Sequence, residues 1–166
     1  YVTGDTTKGI RRYALNNSPL TYGNLCDGGC EVHNDGEIWS ATLWDLRTAY
    51  INKYGYDVGK QKVEQLVVDG MINSPPNPSM LDMRDSILMS DIVDPVSNGS
   101  NNNLIWQVFA QRGMGWSATT VDHNDQNPTE AFDLPNITAI PNPFSPNGDS
   151  TKDTTTISAP FPKILY

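Results

Sequence analysis

The residues with chemistry to offer crowd into the first quarter of the chain. His33 follows a glycine-bearing loop, Cys26-Asp27-Gly28-Gly29-Cys30, and stands at the head of a helix-start pattern. Taken alone, it reads as a surface histidine near a helix end. Beside a cleft, the same ring can hold a hydrogen-bond donor on a developing oxyanion, a strong catalytic device. Cys26 and Cys30 carry the second signal. Their spacing is neither the Cys-x-x-Cys of redox motifs nor that of zinc knuckles. Two glycines between them let the loop close, so a small disulfide in an oxidising compartment is the first reading. A competing reading gathers Cys26, Cys30 and His33, with His123 as a fourth ligand, around a structural zinc ion.

A series of helices must hold this region in place. Asn34 reads as an N-cap with Glu37 three residues on, a capping-box pattern. Trp39, Leu43, Leu46 and Tyr50 recur at helical spacing, and Gly55 supplies a left-handed stop. A second helix fits 60–72, with Val63, Leu66, Val67 and Met71 as its stripe. Asn77-Pro78 reads as the cap and first-turn proline of a third, burying Met80, Met83, Ile87 and Leu88. After a polar loop, Leu104, Ile105, Val108 and Phe109 mark the inner face of a fourth helix over about 103–111. Residues 1–36 read as a long ordered loop, a kind that is usually functional in compact domains. Residues 116–134 read as irregular. Beyond them Ile137-Thr138-Ala139-Ile140 and Thr154-Thr155-Thr156-Ile157 are strand-like, which sets a domain boundary near 133.

The bulk properties narrow the classes. The chain has 166 residues, enough for one ordinary domain plus a tail. Its net charge of −8 leaves no basic stripe for phosphates, which excludes nucleic acid and an anionic membrane surface. No apolar run reaches the length of a membrane span. Both ends read as cuts: no signal peptide opens the chain, and the last residues stop inside an apolar stretch. Trp39 and Trp106 fall on or beside apolar helix faces and read as packing, as do Met80, Met83 and Met89.

The run Glu31-Val32-His33-Asn34-Asp35-Gly36-Glu37-Ile38-Trp39-Ser40-Ala41 resembles the fungalysin-type metallopeptidases, relatives of thermolysin. So do Gly9-Ile10-Arg11-Arg12-Tyr13, Val67-Val68-Asp69-Gly70-Met71, Met83-Arg84-Asp85-Ser86-Ile87-Leu88 and the closing run from Ile105 to Gly115. These blocks occur in order over roughly residues 1–116. In that family two histidines of a His-Glu-x-x-His helix and a downstream glutamate hold zinc, and the motif's glutamate is the general base. No such motif occurs here. The resemblance therefore implies a C-terminal part of such an enzyme, without its zinc ligands and inert on peptides by itself. It places His33 at the histidine that binds the oxyanion. It places Arg11 where an arginine contacts a substrate carbonyl, a task suited to forked donors. Relatives also carry an acid shortly before the histidine, and Asp27 and Glu31 are the two candidates for orienting the ring. Arg12 reads as a solvated charge.

The run Ile140-Pro141-Asn142-Pro143-Phe144-Ser145-Pro146-Asn147-Gly148-Asp149, followed by Thr151-Lys152-Asp153, resembles the opening of Ig-like β-domains appended to secreted bacterial proteins. Asn147, Asp149 and Asp153 supply oxygens that calcium would accept, against the plainer reading of an Asn-Gly turn with solvated carboxylates. The expected architecture is mainly α. A helical C-terminal lobe of a thermolysin-like metallopeptidase, with a long leading loop, occupies 1–133, and an incomplete β tail occupies 134–166. The expected parent is an extracellular or cell-surface zinc endopeptidase acting on peptides or proteins, whose missing N-terminal lobe brings the zinc. The alternative is a non-catalytic helical interaction or adhesion module of a cell-surface protein.

Overall fold

The computed structural model describes residues 11–136, 138–140, 150, 154 and 156–158. Four helices follow one another: α1 (Val32–Tyr54), α2 (Tyr56–Ile72), α3 (Met80–Val93) and α4 (Asn102–Gln111). They belong to the first of two compact units, Tyr1–Leu134, which is mainly helical as the sequence leads one to expect. The second unit, Pro135–Tyr166, contains β1 (Thr138–Ile140) and β2 (Thr156–Ser158), paired antiparallel with Ala139 opposite Ile157. Asn147, Asp149 and Asp153, the oxygens considered for calcium, lie outside the described residues.

α1 is capped three residues ahead of the predicted Asn34. Its cap is Glu31, whose carboxylate accepts from the amides of His33 at 3.1 Å and Asn34 at 3.0 Å. A carboxylate there satisfies free N–H groups and meets the positive end of the helix dipole. Glu37 is thereby released from capping duty. α1 ends at Gly55, whose φ of +82° suits a residue without a Cβ. The same glycine is the N-cap of α2, so α2 starts at Tyr56 rather than Lys60.

Glycines set how closely α2 packs. A Cβ added at Gly59 would lie 2.5 Å from the Tyr50 carbonyl oxygen and 2.6 Å from Ile51 Cα. One added at Gly70 would lie 2.6 Å from Ile87 Cγ1. α2 therefore meets α1 and α3 through Gly59, Val63, Leu66 and Gly70. Of the predicted stripe, Val63 and Leu66 are buried on this face, whereas Val67 is half-buried and Met71 is 57% exposed.

α3 differs in the same way. Ser79 is its N-cap and shares a reciprocal pair of bonds with Asp82, at 3.1 Å and 2.8 Å. Asn77 instead takes a left-handed conformation before the helix starts. The buried face carries Leu81, Arg84, Ile87 and Leu88, while Met80 and Met83 are only half-buried. Arg84 displaces a hydrophobic residue because it has work in the interior. Its Nη1 donates to the Met114 and Gly115 carbonyls at 3.0 Å and 2.8 Å, and its guanidinium lies 4.8 Å from the Trp106 ring centre. It thus fixes the irregular segment after α4 against the bundle. Phe109 of α4 sits in the core with Trp39 at 5.9 Å, and Trp106 meets Trp116 edge-on at 5.8 Å. Packing is therefore the role of these aromatic residues.

Candidate functional site

The long loop ahead of α1 is fastened from several sides. Arg112, just past α4, donates to the Ser18 and Leu20 carbonyls, each at 2.8 Å, and pairs with Asp45 of α1 at 2.6 Å. Glu130 accepts from the Thr21 hydroxyl at 2.6 Å and the Gly23 amide at 2.9 Å. The chain then enters the turn closed by the Cys26–Cys30 disulfide. Asp35, in the first turn of α1, reaches back to both sides of that turn. It accepts from the Cys26 amide at 2.9 Å and the Glu31 amide at 3.1 Å.

This route delivers His33 to the exposed start of α1, with its side chain 54% accessible. Nδ1 lies 2.6 Å from Glu31 Oε1. One carboxylate therefore caps the helix with Oε2 and holds the imidazole with Oε1. The hydrogen bond from the ring is the largest of several that hold the Glu31 carboxyl below its ordinary range. With Nδ1–H given to Glu31, Nε2 points to the opposite side of the ring. It donates from there when the imidazole carries both protons.

Of the two acids considered for orienting the ring, Glu31 makes the contact. Asp27 instead accepts from the Asn24 side-chain amide at 3.0 Å. Arg11 is brought to the same place: its Nη1 donates to the His33 carbonyl. The guanidinium still has further N–H groups to offer. Arg12 departs from the solvated charge expected of it. Its Nε pairs at 2.9 Å with Glu37, which is only 1% exposed, and its Nη2 donates to the Asn34 carbonyl at 2.8 Å. The Arg12 amide also donates to Glu37. A buried carboxylate without partners would be costly, so this ion pair locks residues 11–12 onto the first turns of α1. The pair spans 25 positions, and nothing local in the sequence announces it.

The residues present do not fit a zinc ion. Among the described residues, the sole group of three or more potential ligands is Cys26, Cys30 and Asp35, and both of its sulfurs are committed to the disulfide. This overturns the reading of a structural zinc site on the cysteines. The other members proposed for it are engaged elsewhere, His33 with Glu31 and His123 Nε2 with the Asn124 amide at 3.0 Å. A concavity of about 200 Å³ beside Tyr50 is lined by Asp69, Asp91 and Asp94. Each of these acids already holds protein donors, from Gln65, from Asn101 and Asn102, and from Val96 and Ser97.

The family described as fungalysin metallopeptidase (M36) matches residues 1–118. The chain is 33% identical over 145 residues to the extracellular metalloproteinase mep of Aspergillus terreus, covering 77% of this chain and 22% of that protein. It is 35% identical over 127 residues to the extracellular metalloproteinase mep of Aspergillus flavus, covering 66% and 20%. It is 31% identical over 153 residues to the extracellular metalloproteinase MEP of Leptosphaeria maculans, covering 81% and 23%. The chain thus spans between a fifth and a quarter of the length of these relatives. From the match over residues 1–118 and these identities, the chain belongs to the fungalysin metallopeptidase family.

Proposed function

We propose that the protein containing this chain is an extracellular zinc-dependent endopeptidase that hydrolyses peptide bonds. This chain supplies its transition-state-stabilising histidine, His33, and one wall of its cleft. The zinc ligands belong to sequence outside the chain. The family and the names of the similar proteins support the class of reaction. The observation that carries the role of His33 is its pairing with Glu31 at 2.6 Å on an exposed helix start.

The chemistry follows from that geometry. As water adds to a peptide carbonyl, the oxygen gains negative charge. A donor already held in place stabilises that charge without having to reorganise. Glu31 fixes the ring and offsets the positive charge of the doubly protonated imidazole, leaving Nε2–H to the oxyanion. Arg11, tied to the His33 carbonyl, directs its remaining donors at a substrate carbonyl. Residues 134–166 begin an Ig-like sorting or appendage domain, a reading supported by the antiparallel pairing of β1 and β2.

The test is His33→Ala in the full-length protein, assayed on an internally quenched peptide. kcat should fall by ~10²-fold, with a smaller change in KM, because the interaction is made mainly in the transition state. An unchanged kcat removes His33 from the mechanism.

A further inference from the structure

We propose that Asp35 and the Cys26–Cys30 disulfide form a positioning latch for His33, so that catalysis by the parent enzyme responds to reduction of this bond. The proposal rests on the reading of His33 as the oxyanion donor.

The contacts form an unbroken series. The disulfide closes residues 26–30 immediately before Glu31. Asp35 Oδ1 holds the Cys26 amide at 2.9 Å and Oδ2 holds the Glu31 amide at 3.1 Å, so one carboxylate pins both ends of the closed turn to α1. Glu31, with its backbone fixed in this way, holds the ring at 2.6 Å. Inside the turn, the Gly29 amide donates to the Cys26 carbonyl at 2.9 Å, a bond that does not reach Glu31. Gly28 and Gly29 both have positive φ, and a Cβ added to either would meet nothing within 4 Å. Opening the disulfide therefore frees the segment that aims Glu31.

The bond is open to attack, since Cys30 is exposed and Cys26 half-buried. A dithiol reductant supplies the electrons. Its thiolate attacks Cys30 Sγ, the Sγ–Sγ bond breaks, and Cys26 leaves as a thiolate that takes up a proton. The second thiol of the reagent then displaces Cys30. Two protein thiols and a cyclic disulfide of the reagent result. Cys26 Sγ lies 3.9 Å from Asp35 Oδ2, the oxygen that also holds the Glu31 amide. A new S–H there competes for that oxygen, and a thiolate repels it. Either outcome loosens Glu31.

The experiment uses the full-length enzyme. kcat and KM are measured before and after dithiothreitol treatment and desalting, with metal content checked and the disulfide state read by alkylation and mass spectrometry. Opening the bond should lower kcat by about tenfold through misplacement of the donor, with KM changing by less than about twofold, and reoxidation should restore it. The Cys26→Ser/Cys30→Ser double variant should start at the lowered kcat and ignore the reductant, which separates the latch from metal loss. Asp35→Asn keeps the disulfide and should give a smaller fall in kcat. In ¹⁵N-histidine spectra the Nδ1–H signal of His33, assigned by its loss in His33→Ala, should weaken on reduction. An opened disulfide with unchanged kcat and unchanged signal overturns the proposal, as does a loss confined to KM and thermal stability. His33→Ala separates the two levels. If it retains kcat, the underlying reading of His33 fails. If it loses kcat while reduction spares the wild type, the latch alone fails.

Discussion

Glu31 joins helix capping to ring orientation, and two substitutions pull these tasks apart. Glu31→Ala removes the acceptors for the His33 and Asn34 amides, at 3.1 Å and 3.0 Å, together with the ring partner at 2.6 Å. Water reaches this exposed side chain, so loss of the cap should shift the local opening equilibrium only modestly, by about fivefold. Hydrogen exchange at the His33 and Asn34 amides in the full-length protein should accelerate by about that factor. Glu31→Gln keeps one carbonyl oxygen for the cap, so exchange should change by less than about twofold. Its amide nitrogen, however, is a donor where the carboxylate was an acceptor. Nδ1 then becomes the acceptor and the proton of the neutral ring moves to Nε2. The wild type donates from Nε2 only with both ring protons in place, whereas this variant donates from a neutral ring. In ¹⁵N-histidine spectra the His33 signal should therefore switch from Nδ1–H to Nε2–H in Glu31→Gln, while Glu31→Ala loses about tenfold in kcat. Wild-type exchange rates in Glu31→Ala, or a retained Nδ1–H signal in Glu31→Gln, would refute the coupling.

Three further outcomes follow from the packing and the carboxylates. Gly59→Ala places a methyl 2.5 Å from the Tyr50 carbonyl oxygen, so α1 and α2 must part; the urea midpoint should report a loss of about 2–3 kcal/mol. The Tyr50 hydroxyl is buried and has no hydrogen-bond partner among the described residues, and burial, aided by the Asp91 charge, raises its pKa above the ordinary range. Tyr50→Phe should be neutral or stabilise by up to about 1 kcal/mol, and a clear loss of stability would contradict the orphaned hydroxyl. Acid should loosen the loops through Glu31, Asp94, Asp125 and Asp133. Hydrogen bonds hold these carboxyls below their usual range: chiefly from His33 for Glu31, from Ser97 for Asp94, from the Val121 amide for Asp125 and from Ser117 for Asp133. Groups lowered in this way give their full support above the unfolded carboxylate range and lose it as pH falls through their depressed values. Protection factors in these loops, corrected for intrinsic exchange, should fall below pH about 4, and factors flat from neutrality down to pH about 2 would show that the bonds carry no weight.

The helices were legible because apolar spacing survives whatever happens at their ends. Their boundaries were less so. The Asn34 pattern looked like a cap, but the helix starts three residues earlier, where Glu31 accepts from the His33 and Asn34 amides, and that start is a property of the backbone path after the disulfide turn. Gly55 serves two helices at once, which no single-helix rule anticipates. The buried face of α2 was read only in part: Val63 and Leu66 lie on it, but glycines at 59 and 70 give no hydrophobic signal even though they set the contact. Arg84 was invisible for the opposite reason, as a charge in the core satisfied by carbonyls thirty positions away. At the site, the close cysteine spacing and the glycines between them pointed to a disulfide, and one is present. The choice between Asp27 and Glu31 was not legible, because it depends on which way the chain leaves that turn. The Arg12–Glu37 lock was missed because each residue alone has an ordinary surface explanation.

The fastening of the leading loop also imposes an order on how the chain is made. Ser18 and Leu20 are held by Arg112, and Thr21 and Gly23 by Glu130, so partners more than 90 positions apart must both exist before this stretch can settle. At ribosomal speeds of about 5–20 residues per second, that delay is roughly 5 to 20 seconds for Arg112 alone. Glu31 and His33, neighbours in the chain, can meet long before then. The Glu31–His33 pair is thus prepared early, while the stretch leading up to it is sealed by some of the last helical-unit residues to be synthesised. A nascent chain released short of Glu130 would carry the histidine and lack the clasp.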